Sequence, residues 1–417
     1  MTARRVLSGL RLEHRVALRG LAEHAAAALT APLRLVLRRD PTLVAMGAAR
    51  DRFADNAAHL FLHLSRAGDA QVRPVWVSGS RAVVSRLRAQ GHRAELRWSP
   101  AGVLAALRAG TFVYSSFPSD INAWLMRGAR TVCLWHGLPL KRVERLLTAG
   151  SDGALARLAT ALRPPPDYLL SSTETVSRRC LAPAFGVPIE RCWHHGYPRN
   201  DVLMVADQAP DPAFAAEATW RALQGAERVV GLFLTWREGR VSDMADESLV
   251  ARLAETCGRH GALLLHKPHY NVVGSRAPHP NCVVLPPEAD LNTHLRSCDI
   301  LVTDYSAVVF DVLLLGMPVL RYQPDLDAYR RDPGFCYPPE ELPGTPCPDR
   351  ETLVAELDTL LGTRDLPGPG DRGAALRREV WGAYDGRACE AIRLSLGRLA
   401  TERRRRGGFR GPRDRVT

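Results

Sequence analysis

No run of about 18 uninterrupted apolar residues occurs in the 417-residue chain, so the sequence offers no candidate membrane-spanning helix. Cysteine pairing is equally absent. The nine cysteines are scattered, odd in number and without a Cys-x-x-Cys spacing, which argues against a disulfide framework and a zinc site and suits a reducing compartment. Aromatic residues make up only 6% of the chain, and the basic C-terminal arm holds Phe409 alone, which leaves little for base stacking and disfavours nucleic acid as a partner. Arg11, Glu13, His14 and Arg15 interrupt the N-terminus too early for a signal-peptide apolar core, so the chain is expected not to be exported. There is no internal repeat and no carboxylate cluster suited to a metal ion.

What is present is positive charge, placed at the ends. The net charge is +12; residues 1–39 carry eight Arg against Glu13 and Glu23, and residues 401–417 carry seven Arg against Glu402 and Asp414. Such arms suit anionic lipid, an acidic polymer or nucleic acid. Within the first arm Leu7, Leu10, Leu18 and Leu21 recur at helical spacing with Arg4, Arg11, Arg15 and Arg19 between them. That pattern fits an interfacial helix on an anionic membrane, and equally a helix packed on its own domain.

A chain of this length exceeds one ordinary core, since single cores stop growing near about 250–300 residues. Short apolar runs (VRPVWVSGS, TFVYSS, RTVCLWHG, PDYLLSS) alternate with helical stretches through residue 200, and ERVVGLFLTW, GALLLHK, NCVVLP and DILVTD repeat that grammar afterwards. Alternation of this kind predicts βαβ units and two parallel sheets. The expected division is a basic arm (1–42), an N-terminal Rossmann-like domain (43–205), a C-terminal one (206–398) and a disordered basic tail (399–417). Pro-rich 337–348 reads as a loop.

Several strand ends carry chemistry. In LVTDYSAVVFD an apolar strand runs into Thr303, Asp304, Tyr305 and Ser306 before a helix bearing Asp311. Hydroxyls there suit a pyrophosphate, although Ser or Asp at a helix start serves equally as a cap. In VCLWHGLPLK the turn presents His136 before Gly137, with Lys141 five residues on; a histidine so placed suits proton removal from a hydroxyl, or a structural role. LLLHKPHY places Lys267 and His269 on alternate positions, with His266 facing the other way. Thr235 and Arg237, and Arg199, Asn200 and Asp201, add polar groups that solvated loops would also explain.

Together and in this order the segments resemble the CDP-glycerol glycerophosphotransferase family of teichoic-acid primases and polymerases. The resemblance rests on Trp135 to Lys141 (WHGLPLK), Gly196 to Asp201 (GYPRND), Thr235-Trp236-Arg237, Lys267-Pro268-His269, Thr303 to Ser306 (TDYS), and Phe310-Asp311 with Pro318 and Tyr322. RFADNAAHLF and PDLDAYRRDPGF extend it over about residues 43–395. Tyr270, Leu234, Met317 and Ala307 depart from the family pattern, and Ala307 removes one hydroxyl from the phosphate side.

The resemblance implies an α/β GT-B fold, two doubly wound Rossmann-like domains facing a central cleft, with acceptor groups on the first and the nucleotide on the second. It implies transfer of a polyol phosphate from CDP-glycerol or CDP-ribitol to a lipid-linked phosphopolymer or glycan, in teichoic-acid or capsular polymer synthesis, by a peripheral enzyme on the cytoplasmic face of the membrane. No cofactor or metal is implied. His136 and His269 would be catalytic; Lys141, Arg237, Lys267, Thr303, Asp304, Tyr305, Ser306 and Asp311 would hold the donor; Arg199, Asn200, Asp201 and Thr235 would meet the acceptor or the other domain. The alternatives are a sugar transferase of the same fold using another nucleotide-activated donor, and a non-catalytic polymer-binding protein.

Overall fold

The computed structural model describes residues 32, 37–148, 164–205, 211, 213–214, 216–235, 247–268, 279–286 and 289–407. The chain forms two compact units, one of Met1–Gly137, Val143–Arg199 and Arg387–Thr417, the other of Leu138–Arg142 and Asn200–Gly386.

The first unit is built on seven strands: β1 (Asp40–Gly47), β2 (Arg73–Ser78), β3 (Ala94–Leu96), β4 (Ala109–Tyr114), β5 (Arg130–Cys133), β6 (Tyr168–Ser171) and β7 (Cys192–His194). All neighbours pair in parallel, in the order β3-β2-β1-β4-β5-β6-β7. β4 is buried along its whole length and β1 along its last six residues, as expected of strands covered on both faces. Helix α1 (Asp55–Ala67) buries Ala57, Leu60, Phe61 and Leu64, one apolar stripe at helical spacing, and stops at Gly68 in the left-handed conformation. Helices α2 (Arg81–Ala89) and α3 (Pro100–Arg108) are each started by a serine: Ser80 accepts from the Val83 N–H and Ser99 from the Gly102 N–H.

The second unit repeats the plan with β8 (Arg228–Phe233), β9 (Ala262–His266), β10 (Cys282–Val284), β11 (Ile300–Thr303), β12 (Val319–Tyr322) and β13 (Thr345–Cys347), again all parallel, in the order β10-β9-β8-β11-β12-β13. Leu232, Leu264, Val302 and Leu320 of this sheet bury against Leu249 and Leu253 of α4 (Glu247–Arg259) and Leu353 and Leu357 of α6 (Arg350–Gly362); the short α5 (Val308–Val312) follows β11. Buried leucines of this kind each stabilise by about 1.5–3 kcal/mol relative to exposure. The Pro-rich stretch read as a loop contains β13. Pro346 is tolerated because β13 pairs on one side only, at the sheet edge.

The C-terminal segment departs from the expected division. Helix α7 (Ala388–Gly407) belongs to the first unit, packing on β1 and α1, so residues 387–398 are not part of the second domain and 399–407 are helical rather than a disordered tail. Ile392, Leu396, Leu399 and Ala400 form its buried stripe, and Arg403 donates to the carbonyls of Gly110 (2.8 Å) and Gly128. A run of arginines reads as a solvated tail, but a long guanidinium also serves a row of carbonyls at a sheet end. The expected helix of the first arm (Leu7 to Leu21) and residues 408–417 lie outside the described residues. Ile392→Ala is expected to cost about 2–5 kcal/mol, seen as a lower urea midpoint, whereas Leu394→Ala, 46% exposed on the same helix, should change stability by less than about 0.5 kcal/mol.

Candidate active site

In both sheets the strand order reverses at one point, between β1 and β4 in the first and between β8 and β11 in the second. Ligands of open α/β sheets bind outside the carboxyl ends of the strands at such a switch point. The segments that leave β1, β4, β5 and β7 carry Asp55, Ser116, His136 and Arg199; those that leave β8, β9 and β11 carry Thr235, Lys267 and Asp304 to Ser306.

His136 is the centre of the first group. Its Nδ1–H donates to Asp55 Oδ2, and Ser116 Oγ lies 2.6 Å from Nε2. Since a carboxylate only accepts, Asp55 fixes the proton on Nδ1 and leaves Nε2 with its lone pair toward the hydroxyl. Burial alone would raise the Asp55 carboxyl; the charges of His136 and Arg199 and the hydrogen bond from His136 bring it down to about 2. Crowding by protein favours the neutral ring, yet the Asp55 carboxylate outweighs it and holds His136 above its ordinary value. Even so, 43% of the imidazole side chain is open.

The turn that presents His136 is held by its neighbours. Trp135 (φ 52°) and Asp55 (φ 64°) both adopt left-handed backbone, which costs non-glycine residues about 1–3 kcal/mol each and persists only when other contacts impose it. Asn56 imposes it here: its amide donates to Trp135 O at 2.9 Å and accepts from the Arg199 N–H at 3.1 Å. Arg199 Nη1 lies 3.4 Å from Asp55 Oδ1. Gly137 (φ 105°) is required for its conformation, and a Cβ there would also press on the Arg199 guanidinium, 2.6 Å from Nη2. The loop after β4 is closed by Asp120, whose carboxylate accepts the N–H groups of Ser116 (2.8 Å) and Phe117 (3.2 Å). Burial, the largest influence, leaves that carboxyl above its usual range despite these bonds. Gly47 lets the loop cross β1, since a Cβ there would be 2.7 Å from Asp120 O.

Asp55, Asn56, Ser116 and Asp120 were not singled out from the sequence. Asp55 and Asn56 sit in RFADNAAHLF, where the resemblance itself was the available signal; Ser116 and Asp120 had none beyond following a strand.

Some of the residues expected to hold the donor are occupied by the fold. Thr303 is fully buried and its hydroxyl donates to Phe233 O at 2.7 Å, so it is not placed to donate to a pyrophosphate. Tyr305 is also buried, stacked on Tyr329 (3.9 Å between centroids, 16°), with its hydroxyl on Asp325 at 3.1 Å; its part is packing, not donor contact. Asp304 accepts from both N–H (2.9 Å) and Oγ1 (2.8 Å) of Thr235, which ties the segments after β8 and β11 together. Buried Asp311 accepts from the Asn200 amide at 2.8 Å, and Asp201 from the Tyr384 hydroxyl at 2.5 Å. Asn200 and Asp201 therefore brace the second unit internally, and Asp311 is turned to that brace rather than to a ribose.

Three expected donor-side groups keep surface. Ser306 is the one partly exposed residue of Thr303 to Ser306, its Oγ accepting the Val308 N–H at 3.4 Å. Lys267 is half-buried and donates to Ala289 O at 2.6 Å. Lys141 belongs to the second unit, with Nζ 3.3 Å from the Tyr329 hydroxyl. His266 is buried at the end of β9, and burial pushes its imidazole down to about 4. Arg237 and His269 lie outside the described residues.

The chain is 27% identical to the teichoic acid glycerol-phosphate transferase of Staphylococcus aureus (strain NCTC 8325 / PS 47) over 331 residues, 74% of this chain and 80% of that protein. It is 27% identical to the teichoic acid poly(glycerol phosphate) polymerase of Staphylococcus epidermidis (strain ATCC 35984) over 54% of this chain and 33% of the polymerase. In fold it resembles the wall teichoic acid polymerase TagF, with a TM-score of 0.69 at 18% identity over 94% of this chain and all of that one. A likeness to the putative UDP-N-acetylglucosamine 2-epimerase of Listeria monocytogenes (TM-score 0.52, 15% identity, 90% of this chain and all of that one) marks the same two-sheet architecture. The family model of CDP-glycerol:poly(glycerophosphate) glycerophosphotransferase matches residues 29–393, and the chain belongs to that family.

Proposed function

We propose that this transferase moves glycerol phosphate, or a related polyol phosphate, from a CDP-activated donor to the hydroxyl end of a membrane-linked polyol-phosphate or glycan acceptor, with release of CMP. The observation that carries the reading is the Asp55–His136 pair, an imidazole with one nitrogen committed to a carboxylate and the other turned to a hydroxyl, that of Ser116. Its setting in a chain of this family, and the glycerol-phosphate transferase named among its relatives, supply the substrate class.

In this mechanism the acceptor hydroxyl replaces Ser116 Oγ, which turns away, as the hydrogen-bond partner of Nε2. His136 removes its proton as the oxygen attacks the β-phosphorus in line. The new P–O bond forms as the bond to the bridging oxygen of the anhydride breaks, and CMP leaves with that electron pair. Asp55 stabilises the imidazolium so formed, and Arg199 stays on Asp55 to keep its orientation. Phosphoryl transfer asks the protein mainly for positioning and for positive groups near the shifting charge. We assign that part to Lys267, Lys141 and Ser306, with Arg237 and His269 from the family pattern. The basic arm of residues 1–42 would hold the enzyme peripherally on the anionic cytoplasmic face of the membrane.

Replacing His136 with Ala should cut CMP release by about 10²–10⁴-fold while CDP-glycerol binding, followed by calorimetry, persists; near-normal turnover would remove the base role. The base acts only when neutral and its pKa is held up, so kcat/KM should rise with pH through a midpoint above the ordinary histidine value of 6.5. Asp55→Asn should move that midpoint to lower pH and lower the plateau. An unchanged midpoint would show that Asp55 does not set the charge of the ring.

A further inference from the structure

The nitrogen of His136 that the reaction needs is already engaged. Nε2 keeps its lone pair, and the Ser116 hydroxyl donates to it across 2.6 Å. Ser116 is 7% exposed, whereas 43% of the His136 side chain is open to solvent. With that hydroxyl gone, water is the natural partner of the lone pair.

The loop that carries the hydroxyl is pinned. The Asp120 carboxylate accepts the N–H groups of Ser116 at 2.8 Å and Phe117 at 3.2 Å. Arg97, which follows β3, donates to the Asp120 carbonyl at 2.7 Å and to Asp51 Oδ1 at 2.5 Å. Asp51, in the segment after β1, also accepts the Gly79 N–H at the end of β2, at 2.6 Å. The segments that leave four strands are thus tied together around the loop. Ser116 can leave Nε2 by rotating about its Cα–Cβ bond from one staggered position to another, with its backbone in place.

We propose that Ser116 guards His136 against water, so that the base acts on the acceptor and not on solvent. This rests on the reaction proposed above. A water that gave its proton to Nε2 would form the new bond to the β-phosphorus as the bond to the bridging oxygen breaks. The products would be CMP and free glycerol phosphate, and the donor would be lost. Either nucleophile must first displace the Ser116 hydroxyl. A polymer acceptor offsets that displacement with contacts made along its length, and water has none. The same hydrogen bond therefore costs the acceptor some affinity and costs water its rate. Asp120 and Arg97 are positioning residues: they hold the backbone from which the hydroxyl reaches Nε2.

The test follows CMP release from CDP-glycerol by the full chain, with and without a lipid-linked polyol-phosphate acceptor, and separates free glycerol phosphate from label in the acceptor. It compares wild type, Ser116→Ala, Ser116→Thr, Arg97→Lys and the Ser116→Ala/Arg97→Lys double variant, each checked for fold by circular dichroism. We expect Ser116→Ala to raise acceptor-free hydrolysis about five- to tenfold, the worth of one hydrogen bond, and to lower the acceptor KM. Ser116→Thr, which restores a hydroxyl, should restrain hydrolysis again. Arg97→Lys should raise hydrolysis when Ser116 is present and add nothing in the Ala background, a dependence that general loosening of the fold does not produce. Unchanged hydrolysis in folded Ser116→Ala overturns the guard, as does a leak in Ser116→Thr equal to that of the Ala variant. A fall in hydrolysis and transfer together would make the hydroxyl a proton relay and overturn it too. Additive effects in the double variant remove the part given to Arg97. A wild type that neither transfers nor hydrolyses CDP-glycerol defeats the proposed reaction and the guard with it; transfer by wild type with no added hydrolysis in Ser116→Ala defeats the guard alone.

Discussion

A carboxylate on one nitrogen of an imidazole fixes which nitrogen keeps the lone pair, and several residues at the carboxyl edge of the first sheet hold such a pair in place. Asp55 holds the Nδ1 proton of His136 and is itself kept ionised by His136 and Arg199. Both Asp55 and Trp135 have left-handed backbone. The offset comes from Asn56, which bonds to the Trp135 carbonyl and to the Arg199 N–H, and from Gly47, which leaves room for the Asp120 loop. Removing any one of these loosens the same pair.

The second unit follows the same topology with another division of labour. Its switch point is ringed by short polar residues, but most of them are spent on the fold: Thr303 on a neighbouring strand, Asp304 on Thr235, Asp311 on Asn200. Among the described residues, Ser306, Lys267 and Lys141 keep surface there, hydroxyl and cationic groups of the kind that suits phosphate oxygens.

Much of this was legible in the sequence because periodicity and strand-end motifs are local. The apolar runs at 73–78, 109–114 and 228–233 became strands, and the turn after β5 did present His136. What was not legible depends on distance or direction. Asp55 is 81 residues from His136, and no spacing rule connects them. Thr303 and Tyr305 stood in a motif suited to phosphate, but Thr303 ends a strand buried at every position and Tyr305 stacks on Tyr329, contacts set by the packing of the whole unit. The arginine-rich C-terminus read as solvated because composition reports charge and not the carbonyls of Gly110 and Gly128 that Arg403 finds on folding. Pro346 hid β13, since only an edge position excuses it.

The central claim is that a phosphate, and not a sugar alone, passes from nucleotide to acceptor. The most direct measurement supplies purified protein with CDP-glycerol radiolabelled in the phosphate next to glycerol, together with a lipid-linked polyol-phosphate acceptor, and asks where the label goes. The account predicts label in the acceptor and unlabelled CMP in equal amount, dependent on acceptor and lost with His136→Ala. Label that stays on the nucleotide, released as CDP, would contradict it.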